Sequence, residues 1–166
     1  MCNVRARVPA RLIAGSGVLM FSQRIREVME RKKLLTAPPE TTVSSAARLM
    51  MRRKVGAVMV VEQSRLVGIF TERDAVFRVI ARGRDAHATR LSDVMTVAPH
   101  TVNPDNSFGY ALLLMHENGF RHMPVIEDGK LVGIVSARNA LDPDLEEFVA
   151  ESERRKQFLR ERTEYA

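Results

Sequence analysis

Apolar residues along this chain follow two alternating periodicities, and the same succession of patterns occurs twice. Apolar side chains recur at helical spacing over 43–51 and again over 108–115. Each of these segments is followed by two short apolar runs of strand length, at 58–61 and 66–70 in the first half and at 123–126 and 131–135 in the second. The pattern predicts a helix and then a β-hairpin in each half.

Capping and turn residues mark where these elements begin and end. Thr42 and Ser107 are suited to cap the two helices, because a hydroxyl there can accept a bond from a free helical N–H group. Gln63-Ser64 separates the first pair of strands, and Asp128-Gly129, a strong two-residue hairpin signal, separates the second pair. A short extended segment ending in proline precedes each helix. A second helix is predicted to start at Thr71 or Ser136 and, in the first half, to end at Gly83.

The two halves are copies of one repeat. A shift of 65 residues places 36–75 on 101–140 without a gap, and 13 of these 40 positions are identical. Just upstream, 25–29 resembles 91–95 with one further residue of shift. We therefore divide the chain into an extension over 1–21, expected to be disordered, a first repeat over 22–84, a second over 85–142 and a C-terminal helix over 143–166. That helix carries a thin apolar stripe of Leu145, Phe148 and Val149, to pack on the body or on a second subunit.

The positive charge of the chain is concentrated near its start. The formal net charge is +6, yet residues 1–26 contain five arginines and no acidic residue, while the remaining residues carry 21 basic and 20 acidic side chains. A protein dedicated to duplex binding needs a basic face on its folded body. The distribution therefore argues against nucleic acid as the main partner, although the basic N-terminus keeps that alternative open.

Composition narrows the setting further. Cys2 is the only cysteine, so an intramolecular disulfide is impossible and a reducing, cytoplasmic location is expected. The weakly apolar run over 12–21 is interrupted by Gly15 and Gly17 and is too short to span a bilayer, so we expect no membrane association.

A polar motif follows the second strand of each repeat. It reads Gly-Ile-Phe-Thr-Glu-Arg-Asp over 68–74 and Gly-Ile-Val-Ser-Ala-Arg-Asn over 133–139. Spacing alone favours a capping box, in which Thr71 caps the helix and Asp74 reaches back. The same side chains could instead hold a phosphate at free amide groups and a ribose diol on the carboxylate, and the two roles could coexist. The glycine within each strand marks a close approach, either of a packed neighbour or of a ligand.

These two motifs, in register on a repeat of 65 residues, resemble those of the CBS family. The resemblance covers about residues 22–142. It implies an α+β fold built by tandem duplication of a β-α-β-β-α unit, packed with pseudo-two-fold symmetry as a Bateman module that commonly dimerises. It also implies adenosyl ligands in the clefts between the repeats, namely AMP, ATP, ADP, S-adenosylmethionine or NAD, and no requirement for a metal.

The resemblance implies how the ligand is held. Thr71 would contact the phosphate and Asp74 the ribose, with Arg121 and His122 facing them across the cleft. Val55, Val58, Phe120 and Met123 would sandwich an adenine, although most of them are expected to be core as well. The predicted ligand-binding residues are Thr36, Val55, Gly56, Ala57, Thr71, Arg73, Asp74, Thr101, Phe120, Arg121, His122, Met123, Pro124, Ser136, Arg138 and Asn139.

The second cleft departs from the family pattern. Asn139 replaces the acid, and the residues expected opposite it, Gly56 and Ala57, supply no charge. This cleft is predicted to bind more weakly or to take a different portion of the ligand.

Other chemistries lack their signatures. The sequence contains no Gly-x-x-x-x-Gly-Lys loop, no His-Glu-x-x-His and no Gly-x-Ser-x-Gly, and its four histidines show no metal-binding spacing. We predict a regulatory module without catalytic activity that binds an adenine nucleotide, most readily AMP, forms a homodimer and signals to an effector protein. The alternatives are a nucleic-acid-binding protein that uses the basic N-terminus and a dimerisation scaffold with empty clefts.

Overall fold

The computed structural model of the chain describes residues 22–32 and 34–140. The predicted extension over 1–21 and the predicted C-terminal helix over 143–166, with its apolar stripe, lie outside the described residues. The two repeats form two sheets with helices packed on them, as the alternation of helix and strand patterns predicts.

The first repeat supplies three strands of a four-stranded sheet in the order β1-β2-β3-β4, and the fourth strand comes from the start of the second repeat. Strand β1 (Thr36–Ala37) pairs in parallel with β2 (Ala57–Glu62), and β2 pairs antiparallel with β3 (Arg65–Thr71), which pairs antiparallel with β4 (Thr96–Val97). The two central strands extend the predicted ones by one residue at each end. Gln63 and Ser64 both have positive φ, 47° and 64°, as a tight two-residue hairpin turn requires.

The hairpin of the second repeat has the same arrangement, but a single bridge replaces each of the two flanking strands. Strand β5 (His122–Glu127) pairs antiparallel with β6 (Lys130–Ser136) through the turn at Asp128-Gly129. A single parallel bridge joins Val102 to Val125 where β1 would lie, and a single antiparallel bridge joins Glu30 to Ile134 where β4 would lie. The hairpin predictions are confirmed in both halves.

The first residues of each half pack on the other half. Helix α1 (Ile25–Val28) places Ile25, which is fully buried, in the core of the second repeat beside Phe108 and Met123. The short 3₁₀ turn Leu91–Asp93 places Leu91, also fully buried, in the core of the first repeat. Each half thus supplies part of the other half's core. Because a unit of this size is only marginally stable alone, this exchange favours folding of the two halves together.

The first helix of each repeat begins at its predicted cap. The Thr42 hydroxyl accepts a hydrogen bond from the Ser45 N–H at 3.4 Å at the start of α2 (Val43–Arg53). The Ser107 hydroxyl accepts one from the Tyr110 N–H at 3.2 Å at the start of α4 (Phe108–Asn118). Both helices end at a left-handed residue, Lys54 or Gly119.

The second helix of the first repeat begins at Thr71 and ends at Gly83, as predicted, but it is not uniform. Helix α3 (Glu72–Asp74) continues into a π-helical turn (Ala75–Val79) and a 3₁₀ turn (Ile80–Arg82). In the second repeat the corresponding described segment is a 3₁₀ turn, Ala137–Ala140.

Only part of the predicted apolar stripes is buried. In α2, Val43, Ala46 and Met50 face the sheet, whereas Met51 is 73% exposed. Phe77 and Ile80, in the second helix, are 62% and 71% exposed. Each helix packs against a single sheet, so apolar side chains beside the contact line stay outside the core.

The strand glycines are explained by packing. A Cβ atom on Gly68 would lie 2.3 Å from the Met95 sulfur, and one on Gly133 would lie 2.9 Å from the Met29 sulfur. Met95, next to β4, therefore packs on Gly68 of the strand with which β4 pairs. Met29, next to Glu30, packs in the same way on Gly133 of the strand to which Glu30 is bridged. The sequence allowed either a packed neighbour or a ligand to lie close to these glycines, and a packed methionine side chain accounts for both of them.

The two repeats meet through apolar residues of their hairpins. Ala57, Met59 and Ile69 are buried against Leu131 and Ile134 of the second repeat. The predicted α+β fold, with two repeats packed on each other, is confirmed, and two clefts lie where the hairpin ends converge.

Candidate functional site

The larger cleft, of about 440 Å³, opens at the start of the helix that follows β3. It brings together the predicted Thr71, Asp74, Arg121 and His122 from both repeats. The residues that line it are Gly56, Ile69, Thr71, Glu72, Arg73, Asp74, Arg78, Thr96, Val97, Ala98, Pro99, His100, Asn118, Phe120, Arg121 and His122.

Thr71 and Asp74 form a reciprocal capping box. One Asp74 oxygen accepts from the Thr71 N–H at 2.9 Å and from the Thr71 hydroxyl at 2.7 Å, while the Asp74 N–H donates to that hydroxyl at 3.3 Å. Asp74 is only 9% exposed. Its other oxygen lies 3.2 Å from Nε of Arg78, one helical turn later. A carboxylate has about four acceptor positions, so one position stays open for a further donor.

Three guanidinium groups line the larger cleft. Arg73 donates to the carbonyl of Gly119 in the other repeat, and Arg78 donates to the carbonyl of Val94 at 2.8 Å. Arg121 is exposed at the opposite wall. Against them stand the carboxylates of Glu72 and Asp74, so the cleft carries a local excess of positive charge that favours an anionic ligand.

His122 lies half-buried between the two clefts. Burial lowers its pKa from the ordinary value of 6.5, and the charges of Arg121 and Arg138 lower it further, while the Glu72 carboxylate raises it. The imidazole is therefore neutral at pH 7 and presents one N–H donor and one acceptor.

The smaller cleft, of about 240 Å³, lies at the start of the 3₁₀ turn after β6. The Asn139 side-chain oxygen accepts from the Ser136 N–H at 2.7 Å and from the Ser136 hydroxyl at 2.8 Å. The residues that line this cleft are Glu30, Lys54, Val55, Gly56, Ala57, Glu72, Arg121, His122, Ile134, Ser136, Ala137, Arg138 and Asn139.

The wall opposite Asn139 is charged, which the sequence did not predict. Gly56 and Ala57 are there as expected, but Lys54 and Glu72 stand beside them. Lys54 ends α2 in a left-handed conformation, and Glu72 belongs to the other motif, so neither was placed at this cleft by its position along the chain.

The two clefts share one wall, formed by Gly56, Glu72, Arg121 and His122. A Cβ atom on Gly56 would lie 3.2 Å from the Glu72 carboxylate and 3.3 Å from the His122 ring. The missing side chain at position 56 is what lets these two groups approach each other.

Twelve of the predicted ligand-binding residues line one or both clefts. The other four do not line either: Met123 is fully buried in the second core, Pro124 is buried beside it, Thr36 is exposed on β1, and Thr101 lines a separate open groove near the hairpin turns. Among the expected adenine-contacting residues, Val58 and Met123 are core, whereas Val55 and Phe120 are half-buried at the cleft walls.

Sequence reasoning missed Arg78 and His100 in the larger cleft. Arg78 follows Asp74 by one helical turn, a spacing that places two side chains on one face and could have revealed the pair. His100 lies in the linker after β4, where no local pattern pointed to the cleft.

Within residues 22–32 and 34–140, no helix is long and apolar enough to cross a membrane. In the same part of the chain, no three side chains among histidine, cysteine, aspartate and glutamate are grouped so as to hold a metal ion.

Comparisons with known proteins place this architecture in a family. A model of the CBS domain matches residues 25–81 and again 91–144. The chain is 36% identical over 110 residues to the CBS domain-containing protein CBSX3, mitochondrial, of Arabidopsis thaliana, a match covering 63% of this chain and 53% of that protein. The chain thus spans about half the length of that relative.

Solved structures agree. A conserved protein of Pyrococcus horikoshii superposes with a TM-score of 0.70 at 33% identity, over 75% of this chain and 93% of that one. The CBS domain pair of protein MJ0100, solved with 5-methylthioadenosine and S-adenosyl-L-methionine, superposes with a TM-score of 0.64 at 20% identity, over 70% of this chain and 91% of that one, and shows the shared fold alone. With both repeats matched by the family model, this chain belongs to the CBS domain family.

Proposed function

We propose that this protein is a regulatory module that binds an adenine nucleotide, AMP foremost, in the larger cleft. The observation that carries the proposal is the meeting of Asp74 from the first repeat with Arg121 and His122 from the second in one cavity. A carboxylate acceptor for a ribose diol and a cation for a phosphate stand there on opposite repeats.

The proposed pose follows from the contacts already present. The ribose diol donates to the open acceptor position of Asp74, and the phosphate lies toward Arg121, where His122 can donate a further bond. The half-buried Phe120 ring offers an apolar face to the base. ATP, ADP or NAD would place further groups along the wall shared with the smaller cleft.

The proposed output is a change in how the repeats pack. A ligand held by Asp74 and Arg121 ties the first repeat to the second, so it favours whichever arrangement brings these groups to bonding distance. An effector protein would read that change. We propose no catalytic step, because the described residues that line the cleft offer hydrogen bonds and charge to a ligand rather than a nucleophile with its base.

We also propose that the module is a homodimer in the cytoplasm. Met51, Phe77, Ile80, Tyr110 and Leu113 are 49–73% exposed, and they lie on helical segments of both repeats. Apolar side chains in such number on one small protein favour a partner surface. The proposed cytoplasmic location follows from the single cysteine, Cys2, which fits a reducing compartment. Light scattering at micromolar concentration should give twice the chain mass, and a monomer would contradict the proposed dimer.

The nucleic-acid alternative loses part of its basis. Two of the five arginines near the start of the chain, Arg24 and Arg26, pair with Asp105 at 3.1 Å and 2.7 Å. Their charge is thereby partly offset on the protein itself. The residues after position 26 carry 21 basic and 20 acidic side chains, a balance that does not favour a dedicated duplex-binding protein.

Calorimetry with AMP, ATP, NAD and S-adenosylmethionine tests the proposed function. We expect saturable binding, with AMP among the ligands that bind, and loss of that binding when Arg121 is replaced by alanine. An exposed arginine that lines neither cleft, Arg48, gives the matched control variant. The absence of binding by the folded protein with all four ligands would overturn the proposal and leave the empty scaffold.

A further inference from the structure

Two aromatic rings stack at the mouth of the larger cleft. The centroids of the His100 and Phe120 rings lie 5.5 Å apart, and their planes are inclined by 21°. Both residues line the same cavity as Thr71, Asp74 and Arg121. Their side chains come from different segments, His100 from the linker after β4 and Phe120 from the end of the loop before β5.

The smaller cleft has no such pair. At the positions related by the repeat, His100 corresponds to Leu35 and Phe120 to Val55. Both aliphatic side chains pack against the core of the first repeat. Among the described residues, a stacked pair of aromatic rings is therefore found in the larger cleft, the one that also holds the Asp74 carboxylate.

We propose that His100 and Phe120 form a clamp in which a purine base of the bound nucleotide stacks between the two rings. This inference rests on the proposed function, since it assigns the base to a definite place in the same cleft. It makes His100 a specificity-determining residue for ligands that carry a large planar base. Stacking of a base on an aromatic side chain tolerates any base but is favoured by the larger purines.

The two rings can separate to admit a base. Each stacked pair needs about 3.5 Å between planes, so a base fits once the two ring planes stand about 7 Å apart. The two rings now stack on each other with their centroids 5.5 Å apart, so they must separate to admit it. Phe120 is held firmly, because it is half-buried and its N–H donates to Met115 at 3.1 Å. His100 is exposed in a linker anchored on either side, at Ala98 by Val67 and at Val102 by Pro124, so the imidazole is the ring that moves.

The test compares a nucleotide with its base-free counterpart. AMP and ribose 5-phosphate are titrated into the protein and into the variants His100→Ala and His100→Phe. The control is His116→Ala, an exposed histidine of α4 that lines neither cleft. We expect His100→Ala to lower AMP affinity about tenfold, the scale of one stacking contact. Ribose 5-phosphate should bind as before, His100→Phe should keep the AMP affinity, and the control should change nothing.

The outcomes separate this inference from the proposed function. If the unmodified protein binds AMP and His100→Ala binds it equally well or more tightly, the clamp is overturned while the nucleotide site stands. An equal loss for AMP and ribose 5-phosphate would also overturn it, because His100 would then act on the phosphate or on the fold. If the unmodified protein binds none of AMP, ATP, NAD and S-adenosylmethionine, the proposed function itself fails.

Discussion

The two clefts share the geometry of their capping motif but differ in charge. In the larger cleft an Asp74 oxygen accepts from the Thr71 N–H and hydroxyl at 2.9 Å and 2.7 Å, and in the smaller cleft the Asn139 oxygen accepts from those of Ser136 at 2.7 Å and 2.8 Å. An uncharged amide oxygen thus accepts the same two hydrogen bonds as the carboxylate does. The cap needs only one acceptor oxygen, so it accounts for neither the negative charge of Asp74 nor its second oxygen.

That second oxygen has a partner that the smaller cleft lacks among the described residues. Arg78 pairs with it at 3.2 Å, whereas the residue related to Arg78 by the repeat is Pro143, beyond the described part of the chain. The difference between the clefts therefore lies in the charge of the acceptor and in its arginine partner.

Removing the acceptor in each cleft should have unequal effects on AMP affinity. Asp74→Ala removes a charged hydrogen-bond acceptor, worth roughly 1.5–3 kcal/mol, so affinity should fall by about ten- to a hundredfold. Asn139→Ala should cost less. The measurement is an AMP titration of both variants under conditions where both are folded, with melting curves as control, since a lost cap costs about 1 kcal/mol of stability. Equal losses, or a larger loss for Asn139→Ala, would reverse the assignment of the main site.

Exchanging Asp74 and Asn139 should separate the effect of the charge on AMP affinity from the effect of the cap. Asp74→Asn keeps an acceptor oxygen for Thr71 but removes the charge, so AMP affinity should fall by about tenfold while the melting temperature changes little. Asn139→Asp should raise the affinity of the smaller cleft. Calorimetric stoichiometry and affinity check both effects. If Asp74→Asn bound AMP as the unmodified protein does, the charge would have no role in the site.

The glycines beneath the two upstream methionines should differ in their tolerance of a side chain. Gly68→Ala brings a Cβ within 2.3 Å of the Met95 sulfur and 3.1 Å of the Thr96 carbonyl, whereas in Gly133→Ala the corresponding contacts to Met29 and Glu30 are 2.9 Å and 3.4 Å. We expect a loss of about 1–2 kcal/mol in the free energy of unfolding for Gly68→Ala and a smaller one for Gly133→Ala.

Urea unfolding of the two glycine variants measures these losses. The double variant Gly68→Ala, Met95→Ala should lose less than the sum of its single changes, because the added methyl group then fills the space left by the sulfur. Additive losses would show that the methionine is not the cause.

A pH effect should arise from His122 at the wall that the clefts share. Its folded pKa lies below its unfolded value of about 6.5, so the unfolded chain takes up the proton first as the pH falls. The contribution of His122 to stability is therefore complete above pH 6.5 and is lost as the pH falls from there through the folded pKa, by at most about 1.4 kcal/mol per pH unit. His122→Gln should remove this component from urea unfolding curves recorded between pH 7 and pH 5. An unchanged pH dependence in that variant would exclude His122 as its source.

Ligand binding should change the same titration in the opposite direction. A phosphate beside Arg121 favours the protonated imidazole, so bound AMP should raise the pKa of His122 and AMP affinity should increase as the pH falls toward 6. His122→Gln should flatten that increase. Binding that weakens at lower pH would place the phosphate away from this wall.

Local sequence signals were sufficient to predict most helix starts and turns of the two repeats. Helix starts at Thr42 and Ser107, the turns at Gln63-Ser64 and Asp128-Gly129, and the end of a helix at Gly83 depend on residues within a few positions of each other, so periodicity and turn chemistry were enough to predict them. The duplication carried the prediction further. It located Thr71 and Asp74 in a repeated motif, the resemblance to CBS proteins placed Arg121 and His122 opposite them, and the structure brings these four together.

Which distant segments of the chain contact each other could be learned from the structure alone. The exchange of Ile25 and Leu91 between the two cores and the seating of Met29 and Met95 on glycines join residues far apart in the chain, and no local pattern encodes such pairing. The charged wall of the smaller cleft and the stacked rings of His100 and Phe120 have the same origin. Hydrophobic spacing states that a side chain will be buried or exposed, but the surface it meets depends on how the two halves dock, and docking is set by the shapes of the assembled faces.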